Sequence, residues 1–139
     1  MPRQAKTVTT SRGQASLYLA KAQQFLEEAQ QAVKSRRHDA AMLNSIHAAI
    51  SATDAVTVAL SGRRSADPDH QRAADLLEEV GGRSESITPR VKQLRALLGK
   101  KNQVEYESRR GKASEAVDAV ARALRFVEWA AEIVQRAKL

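Results

Sequence analysis

Apolar residues recur at helical spacing along almost the whole chain, and turn signals divide them into five segments. Tyr18, Ala22, Phe25, Ala29 and Val33, with Leu26 beside them, lie on one face of a helix expected over about residues 11–33. Ser11 and Gln14 have the spacing of a capping box at its start. KSRRHD interrupts the pattern, and Asp39 is placed to cap a second helix over about 40–60. That helix carries Ile46, Ala49, Ile50, Val56 and Leu60. Its run of alanines (Ala48, Ala49, Ala52, Ala55, Ala59) makes it thin enough for close neighbours.

After the turn SGRRSAD, Asp67-Pro68 sets a capping acid before a proline, and Gly81-Gly82 closes a short third helix over about 68–80. Thr88-Pro89 repeats the start signal for a helix bearing Val91, Leu94, Leu97 and Leu98; Gly99 ends or bends it, leaving KKNQVEYES open. Ser114, Glu115 and Asp118 suit the N-terminus of a last helix over about 113–138. Its main stripe is Val117, Val120, Leu124, Val127, Ala131 and Val134. A second stripe, Phe126, Trp129 and Ile133, lies to one side. Two apolar faces fit a central helix, or one that offers Phe126, Trp129 and Ile133 as a dimer contact. No strand pattern is visible. The expectation is an all-α fold: an antiparallel four-helix bundle with one short additional helix, one domain over residues 11–139, preceded by a flexible basic tail over residues 1–10.

Composition narrows the chemistry. The chain has 139 residues and no cysteine, which leaves no disulfide framework and no thiolate metal site. Its length suffices for one core. No apolar run nears the ~18 residues of a membrane span, and no apolar stretch follows the basic start as in a secretory signal. A cytoplasmic protein without membrane contact is therefore expected. The formal charge of +7 favours anionic partners. Of the 23 basic residues, 15 are Arg, and 25 residues are Ala, a pairing that GC-rich coding also produces. Five aromatic residues give no stacking platform for single-stranded nucleic acid, so contacts to RNA should fall on phosphates.

Most catalytic signatures are absent. No Glu stands three residues before His38, His47 or His70, as a di-iron bundle requires. There is no His-Glu-x-x-His, Gly-rich phosphate loop or nucleophile elbow. No metal or cofactor is implied. Two polar clusters remain. Asn44, His47, Ser51 and Asp54 share one face of the second helix, a solvent stripe or a seam facing a cleft, with His47 able to carry a proton. Lys100, Lys101, Asn102, Gln103, Val104, Glu105 and Tyr106 lead into Arg109, Arg110 and Lys112. In a helix, Asn102 and Tyr106 would share a face and Lys101 would pair with Glu105.

The order of these features, with NSIHAAISATDA, SADPDHQRAADLL and LRALLGKKNQVEYES, resembles the HEPN superfamily, and within it a small actinobacterial-type branch. The resemblance spans about residues 16–134. It implies a dimeric all-α protein, often a metal-independent ribonuclease acting as a toxin or defence component. Active HEPN proteins carry an Arg, four to six residues of which the first is polar, and then a His. Here Lys101 stands at the Arg position, Asn102 at the polar one and Tyr106 where a four-residue spacing puts the His. A phenol with an ordinary pKa near ~10 is a poorer base than an imidazole near ~6.5, and Lys lacks the bidentate fork of Arg. His47 or His70 could supply the base if the fold brings one of them to the motif.

Three functions follow as expectations. The first is RNA binding or weak cleavage by Lys101, Asn102 and Tyr106 with His47 and Asp54 assisting, and Lys100, Arg109, Arg110 and Lys112 on the backbone. The second is a non-catalytic interaction module of the same fold, partnered by an acidic antitoxin or a nucleotidyltransferase-type protein. The third is a basic protein coating nucleic acid through its tail, indifferent to Lys101 and Tyr106.

Overall fold

The computed structural model describes residues 6–82 and 84–139. The long helices are α1 (Ala15–Lys34), α2 (His38–Ser61) and α6 (Ala113–Arg136). One 3-10 turn, Arg12–Gln14, leads into α1. Between α2 and α6 lie α3 (Gln71–Gly81), α4 (Thr88–Leu98) and the six-residue α5 (Lys101–Tyr106). The three-residue link between α1 and α2 forces them antiparallel, and α6 packs against both. The pair α3–α4 leans on α2, and α4 also reaches α6. The expected all-α helical bundle is what the chain forms.

The alanines decide which helix is central. In α2, Ala41, Ala48, Ala49, Ala52, Ala55 and Ala59 are fully buried, so neighbours approach it from several sides. The buried hydroxyls of α2 bond within the helix. Ser45 donates to the Ala41 carbonyl and Thr53 to the Ala49 carbonyl, each at 2.8 Å. Both hydroxyls are thereby satisfied without a partner helix.

In α6 both stripes reach the core: Val127 of the main stripe is buried, and Val120 and Leu124 pack against the same core. Phe126 is fully buried and Trp129 nearly so, flanked by buried Ala116, Ala119, Ala123 and Ala130. Val117, assigned by its spacing to the main stripe, is exposed, and Ile133 is only partly buried. Phe126 and Trp129 join the core because large rings beside alanines fill the space between helices with much apolar area. The protein's own core therefore covers Phe126 and Trp129, two of the residues expected at a dimer contact, and leaves Ile133 partly open.

Two short strands correct the expectation of a strand-free chain. β1 (Thr7–Thr9) pairs antiparallel with β2 (Arg63–Ser65), Val8 opposite Arg64. The last part of the expected basic tail is thus tied down; residues 1–5 lie outside the described residues. Gly62 makes the turn possible. It ends α2 at φ +69°, and a Cβ there would stand 2.9 Å from the Thr10 carbonyl oxygen.

Local start signals behave unequally. Thr88-Pro89 opens α4 as expected, and the Asp67 and Asp69 carboxylates accept the backbone N–H groups of Asp69 and Gln71 ahead of α3. Ser11 makes no side-chain cap. Asp39 does not cap α2, which already begins at His38; its carboxylate accepts the Gly111 N–H at 2.8 Å. That bond fastens the loop before α6 to the start of α2.

Candidate functional site

The polar face of α2 turns toward the segment that joins α4 and α6. That segment continues as α5, which packs on α2. Within α5 the Lys101 Nζ lies 2.7 Å from Glu105 Oε2, the i, i+4 pair expected from the sequence. Both side chains are about three-quarters covered.

Two imidazoles share this neighbourhood. His47, from the middle of α2, is half-buried and stacks near Phe25, with ring centroids 5.5 Å apart. His70 stands at the start of α3. The pKa of each is lowered, chiefly by burial, and Lys101 lowers both further while Glu105 pushes both up. His47 is also lowered by the proximity of His70. Glu105 is itself held below the usual carboxylate range by the Lys101 ammonium and, to a lesser degree, by the Tyr106 hydroxyl. The site therefore contains one cation, one carboxylate and two imidazoles that are mostly neutral at pH 7, each within electrostatic reach of the others.

Asp54 lies two turns further along the same face of α2. It lines a cavity of about 250 Å³ together with Ile50, Arg64, Ser65, Ala66, Asp67, His70 and Ala73. Burial raises its carboxyl to about 7, against weaker opposing effects of Arg64 and Lys21. His70 thus lines the Asp54 cavity and lies within electrostatic reach of the Lys101–Glu105 pair.

The other expected site residues are dispersed. Tyr106 is 76% exposed at the end of α5, and Glu105 instead takes the place beside the imidazoles. Asn102 is exposed, its amide 3.5 Å from Glu107. Asn44 donates to the Ala40 carbonyl of its own helix. Arg109 is ion-paired with Glu115 at 3.0 Å. Glu115 is held down to about 2 first by the Lys112 backbone N–H and then by Arg109. Arg110 faces Arg36 and Arg37 across a separate cavity at the start of α2, and Lys100 borders a groove between α4 and α6 with Asp118 and Arg122. Lys112 is exposed at the start of α6. These four cations form no single patch.

Sequence reasoning underrated two residues. His70 followed a proline-containing turn and belonged to no helical stripe. Arg64 read as part of a basic turn, and only its pairing with Val8 across β1–β2 fixes it beside the cavity. Among the described residues no helix is long and apolar enough to cross a membrane, and no three His, Asp or Glu side chains cluster as metal ligands would.

A bundle of long alanine-rich helices, with His47 of the central helix, His70 before α3 and the Lys101–Glu105 pair of α5 forming a polar cluster, defines a small basic α-helical domain. Comparison with protein families matches residues 15–134 to the HEPN domain. The chain belongs to the HEPN family. Comparison with curated proteins finds no match.

Proposed function

We propose that this protein binds RNA at the Lys101, Glu105, His47 and His70 cluster and cleaves it slowly, as a component of a toxin–antitoxin or defence-type system in the cytoplasm. The observation that carries the reading is that two imidazoles lie within electrostatic reach of the Lys101–Glu105 pair. One imidazole stands in for the base that Tyr106, exposed and phenolic, does not supply.

The chemistry follows from these groups. Lys101 holds the phosphate as a point charge. One neutral imidazole takes the proton of the ribose 2′-hydroxyl, and that oxygen attacks the adjacent phosphorus. The bond from phosphorus to the 5′-oxygen breaks, and the leaving oxygen takes a proton from the second, protonated imidazole. The products are a 2′,3′-cyclic phosphate and a 5′-hydroxyl end. With both pKa values lowered, few molecules at pH 7 hold one charged and one neutral ring, so turnover is slow.

The test is incubation of purified protein with labelled RNA in the presence of a chelator, comparing wild type with His47→Ala, His70→Ala, Lys101→Ala and Tyr106→Phe. Loss of about 10²-fold or more with either His variant is expected, with little effect of Tyr106→Phe. Absence of both cleavage and salt-sensitive RNA binding overturns the reading.

The Lys101–Glu105 ion pair favours a second reading, because it leaves the cation already neutralised. A non-catalytic HEPN module would hold a protein partner, an antitoxin or nucleotidyltransferase-type protein encoded nearby. A stable complex with that protein, together with inert RNA, would establish it. A homodimer belongs to either reading, on a surface other than the buried Phe126–Trp129 stripe; light scattering decides it.

A further inference from the structure

Three charged side chains line the cavity beyond His70: Asp67, whose carboxylate accepts the Asp69 N–H, and the opposite charges Asp54 and Arg64, which do not meet. Asp54 and Arg64 both line it, yet among the described residues no ion pair or hydrogen bond reaches the Asp54 carboxylate. Among the described residues Arg64 donates from Nη1 to the Ser65 carbonyl at 3.2 Å, and its Nε is buried with no hydrogen-bond partner there. Its guanidinium lies 5.8 Å from the Tyr18 ring and its backbone is fixed opposite Val8. A carboxyl and a guanidinium free to move would close into a bidentate pair. Here the fold keeps them apart across a cavity that is apolar at Ile50, Ala66 and Ala73.

We infer that this cavity is a base-recognition pocket, selective for guanine, in which Asp54 and Arg64 read the base of a nucleotide whose phosphate lies toward His70 and Lys101. The volume of about 250 Å³ falls below the ~300–1,000 Å³ of drug-sized sites, and so suits a single base. Guanine presents donors at N1 and N2 that match a carboxylate, and acceptors at O6 and N7 that match an arginine. Adenine offers a donor to Asp54 but no O6 acceptor to Arg64. Uracil carries acceptors and one donor, and cytosine has the acceptors N3 and O2 but only its N4 amino group for Asp54, where guanine offers the two donors N1 and N2. The raised carboxyl of Asp54 is what an unpartnered acid facing such a cavity should have, and donors from a bound guanine would pull it down.

The inference rests on the RNA reading, because it names the nucleotide that the proposed site selects. It is tested on the full chain with the four nucleoside 5′-monophosphates, by thermal shift and by two-dimensional NMR at pH 7.5. Guanosine monophosphate should stabilise the wild type and shift the resonances of Ile50, Ser65 and Ala73, with at least tenfold tighter binding than the other three. Asp54→Asn and Arg64→Gln should each lower that affinity at least tenfold, with melting curves showing that both variants fold. The wild-type comparison alone is decisive should a variant not fold. Equal affinity for all four, or no nucleotide binding, overturns the pocket. RNA cleavage without base preference sinks the pocket and leaves the site, whereas guanosine selectivity with inert RNA sinks the RNA reading and leaves the pocket.

Discussion

The Lys101 ammonium is bound by Glu105 at 2.7 Å, so the cation proposed to hold a phosphate is already paired with a carboxylate of its own helix. An incoming phosphate must displace that carboxylate. Glu105→Gln should therefore tighten RNA binding, by roughly two- to fivefold at low salt, and steepen its salt dependence, while Lys101→Ala weakens binding. Filter binding across a salt series separates the two directions; a loss of affinity in Glu105→Gln would show that the pair acts as a unit in binding.

The pH dependence of cleavage follows from the imidazoles. Burial lowers both pKa values from 6.5, and His70 lowers that of His47 further. The state with one charged and one neutral ring is then most populated below pH 6.5. Cleavage should peak on the acid side of 6.5 and fall steadily through pH 8. Glu105→Gln removes the charge that pushes both rings up and should move the peak lower still. A rate that rises from pH 6.5 to 8.5 would point to a base other than His47 and His70.

Asp54 makes stability depend on pH in the reverse of the usual carboxylate sense. Its folded pKa of about 7 lies above its ordinary value of 3.8. Between these values the folded state holds a proton that the unfolded state has lost. Its effect is absent below about pH 3.8, stability falls as pH rises through that window, and the loss levels off above 7. At ~1.36 kcal/mol per pH unit the full effect has an upper bound of about 4 kcal/mol. Asp54→Asn should raise stability at pH 8 by roughly 1–3 kcal/mol and leave it nearly unchanged at pH 4. Urea melts at the two pH values measure the difference.

Gly62 carries the turn that positions Arg64. With φ at +69° and the Thr10 carbonyl 2.9 Å from a Cβ, Gly62→Ala should cost roughly 1–2 kcal/mol. It should also raise hydrogen exchange at Thr10, whose amide donates to the Gly62 carbonyl at 2.7 Å. Unchanged exchange would mean that β1 holds without the turn.

Phe126 tests which face of α6 is internal. Phe126→Ala should lower stability by about 3–5 kcal/mol through the cavity it leaves, independently of protein concentration. Val117→Ala, on the exposed face, should cost under about 0.5 kcal/mol. Comparable losses at the two positions would restore the stripe that spacing alone suggested.

The helices were legible because their signals are local. Apolar spacing, the Thr88-Pro89 start and the glycines after α2 and α3 act within a few residues of where they stand, and α4 begins and ends as its sequence predicts. The Lys101–Glu105 pair was legible for the same reason, being one helical turn apart. So was the polar face of α2, on which His47 and Asp54 already shared a side.

What joins these pieces is not local. Asp39 sits at a capping position by sequence, but the loop before α6 offers the Gly111 N–H, and the long-range bond prevails. The aromatic stripe of α6 looked like surplus apolar area until α1 and α2, thinned by alanine, closed around it. By itself the sequence determined helix content, the cysteine-free basic character and the two halves of the site, since each depends on neighbours in the chain. Only the tertiary structure decided that His70 comes within electrostatic reach of His47 and Lys101, that Tyr106 is exposed and that Arg64 and Asp54 line one cavity. These follow from how α3 and α5 pack on α2 and from the pairing of β1 with β2, contacts between residues far apart in the chain that no periodicity encodes.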